Sequence, residues 1–158
     1  MILISNFHKF YKENGLSEEV ITKFQEIIYS YYENQGRKFP FRNNLNPYRV
    51  LVSEMMLQQT QTSRVSTKYK EFIKKFPDFS TLAKAPLEEV LEMWQGLGYN
   101  RRGKALKEIA RQVIEKYDGK LPRSKEKLKK FPQIGEATSS SIIAFAYNEP
   151  IAFIETNI

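Results

Sequence analysis

Apolar residues recur three and four positions apart along almost the whole chain, and nowhere do they alternate with polar ones over a useful length. That spacing suits helices that each bury one face, and it offers no half-buried strand. The chain is therefore expected to be all-α. The punctuation agrees. Ser17, Asp78 and Ser124 stand where a side-chain cap opens a helix, and Gly15, Gly36, Gly96 and Gly119 stand where one stops. Helices are expected over residues 3–13, 18–34, 62–75 and from after Arg102 to about Tyr117. A helical hairpin is expected over 123–147. No internal repeat is evident.

The 158 residues suffice for one domain or two small lobes with a sizeable core. The formal net charge of +7 favours a polyanionic partner, with an anionic membrane surface as the rival reading of charge alone. No apolar run approaches a membrane span, and residues 1–10 lack the features of a signal peptide. There is no cysteine, so disulfides, Cys-ligated zinc and Cys-ligated iron–sulfur clusters are excluded within this chain. A lone His8 cannot build a metal site. A reducing, cytoplasmic setting and no metal are the resulting expectations.

The most informative stretch is Pro47–Gln61. Asn46 is a good cap, and Pro47 brings a helical φ to a position whose N–H is not needed. Val50, Leu51, Met55 and Leu57 then form a broad apolar stripe, with one carboxylate, Glu54, inside it. A partly desolvated carboxyl can hold a proton near neutral pH and serve as a general acid. Spacing alone also allows a boundary Glu that faces out of the helix. Two carboxamides, Gln58 and Gln59, follow where a surface helix would carry Lys or Glu.

Three further stretches stand out. Residues 37–46 carry three cations and two aromatics without periodicity, which suits either an exposed connector or a cationic segment beside a nucleic-acid groove. Gly96-Leu97-Gly98-Tyr99-Asn100-Arg101-Arg102 is a tight connection in which two glycines permit a close backbone approach. In 123–147, a lysine-rich helix meets a small-residue helix through Phe131-Pro132-Gln133-Ile134-Gly135. The start of the second helix would offer free N–H groups to a phosphate. The alternative is a core hairpin with a solvated lysine face. The chain stops at Ile158 directly after an apolar run, so a truncated product, a fragment or an incomplete gene model is expected.

Taken together, these stretches resemble the helix–hairpin–helix DNA glycosylase superfamily, and within it the adenine-specific mismatch glycosylase (MutY-type) branch. The likeness rests on Ser53–Gln61, Trp94–Tyr99, the hairpin Phe131–Gly135 and the element Phe39-Pro40-Phe41-Arg42, and it covers roughly residues 20–158. It implies that family's orthogonal helical bundle, and removal of adenine mispaired with guanine or 8-oxoguanine. It implies that Glu54 protonates the purine, that Gln58 and Gln59 enter the duplex, and that Arg42 lines the base pocket. The hairpin, with Gln133, Ile134, Gly135, Glu136 and Ala137, would hold a DNA phosphate, often with a monovalent cation on its carbonyls. Glu155 stands where the family has a catalytic Asp, Asn157 matches an orienting Asn, and Tyr99 supports the cleft. The partner would be double-stranded DNA with a mispaired or damaged base, bound by a monomer associated with the nucleoid. Residues 1–35 would pack on a C-terminal segment, 36–147 would form the helical domain, and 148–158 would begin the catalytic carboxylate segment.

Departures from the family pattern bear on this reading. Ala137 takes the place of the Schiff-base Lys of the bifunctional branch, so no lyase step is expected. Glu replaces Asp at 155, and its extra methylene moves the carboxylate. Gln133 replaces a hairpin Gly, at a cost of about 1 kcal/mol if φ is positive there. Asn100 replaces an aromatic wedge. Other monofunctional base specificities, or a DNA-binding fragment without catalysis, remain alternatives.

Overall fold

The computed structural model describes residues 2–153, with side chains from residue 6 onward, and every regular element among them is helical. The order is α1 (Ile2–Asn14), α2 (Glu18–Gln35), a 3-10 turn (Pro40–Arg42), α3 (Pro47–Leu57), α4 (Thr62–Lys75) and α5 (Phe79–Lys84). Then come α6 (Leu87–Trp94), α7 (Asn100–Tyr117), α8 (Lys125–Leu128) and α9 (Glu136–Tyr147). The caps are those the residue types dictate. Ser17 accepts from the Val20 N–H, Asn46 from Arg49, Asp78 from Thr81 and Ser124 from Lys127. Among the described residues no helix is long and apolar enough to cross a membrane.

The chain divides into two compact units, Met1–Lys38 and Phe39–Ile158. In the first, Phe7 on α1 meets Phe24 on α2 at 5.7 Å between ring centroids, and the Lys23 ammonium lies 4.8 Å from the Phe10 ring centre. Val20 is buried, yet Tyr11, Phe24, Ile28, Tyr29, Tyr31 and Tyr32 are exposed.

The second unit is built around α3. From Tyr48 to Met56 all but Arg49 of its residues are buried, so this helix is a core helix and not a surface one. It packs against α4, α7, α9 and the 3-10 turn, while α7 packs against α5 and α6. Trp94 is fully buried, as core spacing implies, and Gly103 makes room for it: a Cβ there would stand 3.0 Å from Trp94 Cγ.

Two local expectations change. Residues 37–46 are not simply an exposed connector. Pro40 starts a helical turn, and Phe41 is buried, stacked on Phe39 at 5.0 Å and edge-on to Tyr69 at 6.0 Å. The connection after α6 is also shorter than expected. Helix α7 begins at Asn100, and Arg102 is buried in its first turn instead of ending the connection before it.

Candidate active site

Glu54 is 8% exposed although it carries a charge-bearing group. Helix α3 places it there because Leu51, Val50 and Met55 fix the buried orientation of that helix. The 3-10 turn supplies its partner: Arg42 Nη2 donates to Glu54 Oε1 at 3.0 Å. Arg42 is itself aimed by aromatic faces. Its guanidinium carbon lies 4.2 Å from the ring centre of Phe145 on α9 and 5.5 Å from that of Phe41. Its Nη1 is buried without a hydrogen-bond partner, and so is the Tyr69 hydroxyl. Burial pushes the Tyr69 phenol above its ordinary value. The arrangement is a carboxyl at the edge of an apolar core, one guanidinium able to hand it over to another partner, and two enclosed polar atoms with unused hydrogen-bonding capacity.

The end of α3 turns sharply. Gln59 adopts φ 53°, a left-handed conformation uncommon outside glycine, and its side chain is exposed. Gln58 points elsewhere. Its Nε2 donates to Gln133 O and to Thr138 Oγ1, each at 3.1 Å. Gln58 therefore ties the Glu54 helix to the hairpin in this structure, whereas Gln59 is the carboxamide that faces outward.

The hairpin has the expected turn. Gln133 is left-handed at φ 61°, Ile134 is buried as its anchor, and Gly135 opens α9 with nothing within 4 Å of where a Cβ would stand. Ala137 is exposed in the first turn of α9 and presents no amine. Glu136, also in that turn, is paired to Lys125 and, at 2.6 Å, to Lys129; the two ammonium groups hold its carboxyl well down, at about 2. Replacing Gln133 by Gly removes the left-handed strain and is expected to raise stability by up to about 1 kcal/mol, the larger freedom of Gly in the unfolded chain offsetting part of the gain. Urea denaturation checks this, and a loss of stability would mean that the Gln133 side chain contributes more than its backbone costs.

Tyr99 is left-handed at φ 47° and 54% exposed, with the Arg101 guanidinium 5.3 Å from its ring centre. Glu155 and Asn157 lie outside the described residues. One functional residue was missed in the sequence. Arg102, 2% exposed, joins the end of α3 to the Gly96–Gly98 turn. Its Nη1 donates to the Met55, Met56 and Gln58 carbonyls, and its Nη2 to Thr60 Oγ1, Leu97 O and Gly98 O. The only available signal was an arginine in the first turn of a helix just after two glycines, which reads equally well as surface charge.

Known proteins share this architecture. Residues 52–158 match the family described as HhH-GPD superfamily base excision DNA repair protein. An adenine DNA glycosylase of Buchnera aphidicola subsp. Baizongia pistaciae is 38% identical over 85% of this chain and 39% of its own length. The human adenine DNA glycosylase is 35% identical over 98% of this chain and 29% of its own length. The chain thus spans less than half the length of these curated relatives. Among solved structures, a thermostable thymine-DNA glycosylase superposes with a TM-score of 0.78 at 30% identity, over 85% of this chain and 62% of that one. An endonuclease III–DNA complex shares the fold, with a TM-score of 0.71 at 20% identity, over 85% of this chain and 64% of that one. The match over most of the chain, on the same helices that carry Glu54 and the hairpin, establishes that this chain belongs to the HhH-GPD superfamily of base excision DNA repair proteins.

Proposed function

We propose that this chain carries the base-removal machinery of an adenine-specific DNA glycosylase, which hydrolyses the N-glycosidic bond of adenine mispaired with guanine or 8-oxoguanine and performs no lyase step. The observation that carries the proposal is the Glu54 carboxyl, buried at the edge of the core and held by Arg42 at 3.0 Å. Cleavage of an N-glycosidic bond leaves electrons on the base and positive charge on the sugar. One carboxyl must deliver a proton to the base and a second must stay ionised beside the sugar, the division of labour seen in glycoside hydrolysis. Glu54 takes the first role in this scheme: it takes up a proton from solvent as it leaves Arg42, hands that proton to a ring nitrogen of the flipped adenine as the N-glycosidic bond breaks, and the resulting carboxylate accepts the proton of the water that adds to the sugar. Glu155 is assigned the second. Ala137 offers no amine for a Schiff base, so water is the nucleophile.

The double-stranded DNA partner is held, in this reading, by a monomer through the first amides of α9, with Gln59 and Tyr99 facing the duplex. A carbonyl oxygen has two lone pairs. Gln133 O, which accepts from Gln58, and Phe131 O, which accepts from the Ile134 N–H at 3.3 Å, can therefore each also face a monovalent cation. In this reading those two oxygens are the ones that would hold it, and the cation would neutralise charge at the phosphate.

A second reading keeps the chemistry and changes the base. The likeness to a thymine-DNA glycosylase supports it. Single-turnover base release separates the two, with duplexes carrying A opposite 8-oxoguanine, A opposite G, T opposite G, and an A·T control, each scored with and without alkali. Alkali-dependent cleavage only at the mispaired A is expected. Release only at T opposite G establishes the second reading, and cleavage without alkali overturns the absence of a lyase step.

A further inference from the structure

We infer that Glu136 is an internal competitor for the DNA phosphate, an acidic side chain that sets how tightly the hairpin binds a duplex. The inference rests on the reading of the hairpin as a phosphate clamp. Glu136 lies in the first turn of α9, where the amides have no intrahelical acceptor and the helix dipole attracts negative charge. Its own carboxylate supplies that charge. The side chain is 61% exposed, so burial does not force this geometry. It reaches across the hairpin to Lys125 at the start of α8 and to Lys129 at its end, and pairs with both. One carboxylate therefore engages two ammonium groups from the opposite arm.

A phosphate that docks on the α9 amides enters this triad. It is an anion next to an anion, and it gains the two lysines only as they leave Glu136. In the bound state Lys125 and Lys129 have exchanged one anion for another, so their contribution to counterion release is largely cancelled. Lys127 and Lys130 are exposed alongside them, and Glu126 is turned to the Ser124 hydroxyl at 2.7 Å, so Glu136 is the acid that governs the lysines facing α9. The chemistry that reads this site is a duplex backbone phosphate, and the affinity it gives is lower, and less sensitive to salt, than the lysine count implies.

The test is Glu136→Gln, which keeps the side-chain length and removes the charge. Duplex binding is measured by fluorescence anisotropy with a labelled duplex carrying A opposite 8-oxoguanine, and with an undamaged duplex, across a potassium chloride series. The variant is expected to bind both roughly 3- to 10-fold more tightly, with a slope of log Kd against log salt steeper by about one to two. Adding Lys125→Gln and Lys129→Gln to the variant should return the slope to that of the unmodified chain. Binding as weak as or weaker than the unmodified chain, at an unchanged slope, overturns the inference and leaves Glu136 as a staple of the hairpin. Failure of both the unmodified chain and the variant to bind either duplex overturns the phosphate-clamp reading itself, and the inference with it.

Discussion

Glu54→Gln is expected to lower single-turnover release of mispaired adenine by about 10³-fold or more, near the upper end of what a general acid contributes. Duplex affinity should stay within about twofold, because Glu54 is nearly enclosed and contributes no charge to the surface that meets phosphates. The substitution preserves shape. A glutamine Oε1 can still accept from Arg42 Nη2, so the 3.0 Å contact survives as a hydrogen bond from the charged guanidinium to a neutral acceptor. What disappears is the exchangeable proton. The cost to folding should be modest, of order 1 kcal/mol, because Arg42 keeps its stacking on Phe145 and its partial access to water. Base release and duplex affinity, measured on the same preparation, check this. An equal loss of both would show that Glu54 holds the site together and does not protonate the base.

The pairing of Glu54 with Arg42 also shows where sequence reading stops. That Glu54 sits in a buried helix is legible, because Val50, Leu51 and Met55 surround it at helical spacing and Asn46-Pro47 fixes where the helix starts. Caps are legible for the same reason: Ser17, Asp78 and Ser124 act on amides three residues away. The partner of Glu54 is not legible from pattern alone, since the 3-10 turn that aims Arg42 depends on Phe41 finding Tyr69 on α4. Gln58 illustrates the limit more sharply. A carboxamide at a helix end suits either the duplex or the protein, and its contacts lie 75 and 80 residues away. A positive φ at Gln133 is legible only as a condition on the turn, and nothing in the pattern marks those at Gln59 and Tyr99, which flank the two segments that Arg102 joins.

Arg102 carries the second large effect. Arg102→Met is expected to destabilise the Phe39–Ile158 unit by about 3–5 kcal/mol, the cost of removing one member of a buried hydrogen-bonded charge network. Met55, Met56 and Gln58 supply carbonyls at the end of α3, which have no intrahelical donor. Arg102 satisfies them with a positive charge at the negative end of that helix. Its second nitrogen satisfies Leu97 O at 2.8 Å and Gly98 O at 3.0 Å. Burial lowers the guanidinium below its ordinary value, but an arginine remains charged, so its positive charge needs these acceptors as much as they need it. A methionine fills the volume but leaves the Met55 and Met56 carbonyls with no side-chain donor, while Gln58 O and Leu97 O are left to share the Thr60 hydroxyl and Gly98 O keeps only Trp94 Nε1. For a unit of this size the melting temperature should fall by roughly 10–20 °C. Arg102→Lys keeps the charge, but three ammonium donors cannot reach six acceptors spread over two segments, and an intermediate loss of about 2 kcal/mol is expected. The loss should be local before it is global: amide exchange in residues 58–60 and 97–99 should rise under conditions where α5 and α7 stay protected, because Arg102 bonds directly to Gln58, Thr60, Leu97 and Gly98 in those two segments. A methionine variant that melts within about 2 °C of the unmodified chain would show that water or a shifted backbone replaces the arginine, and that the pairing of these two turns has another cause.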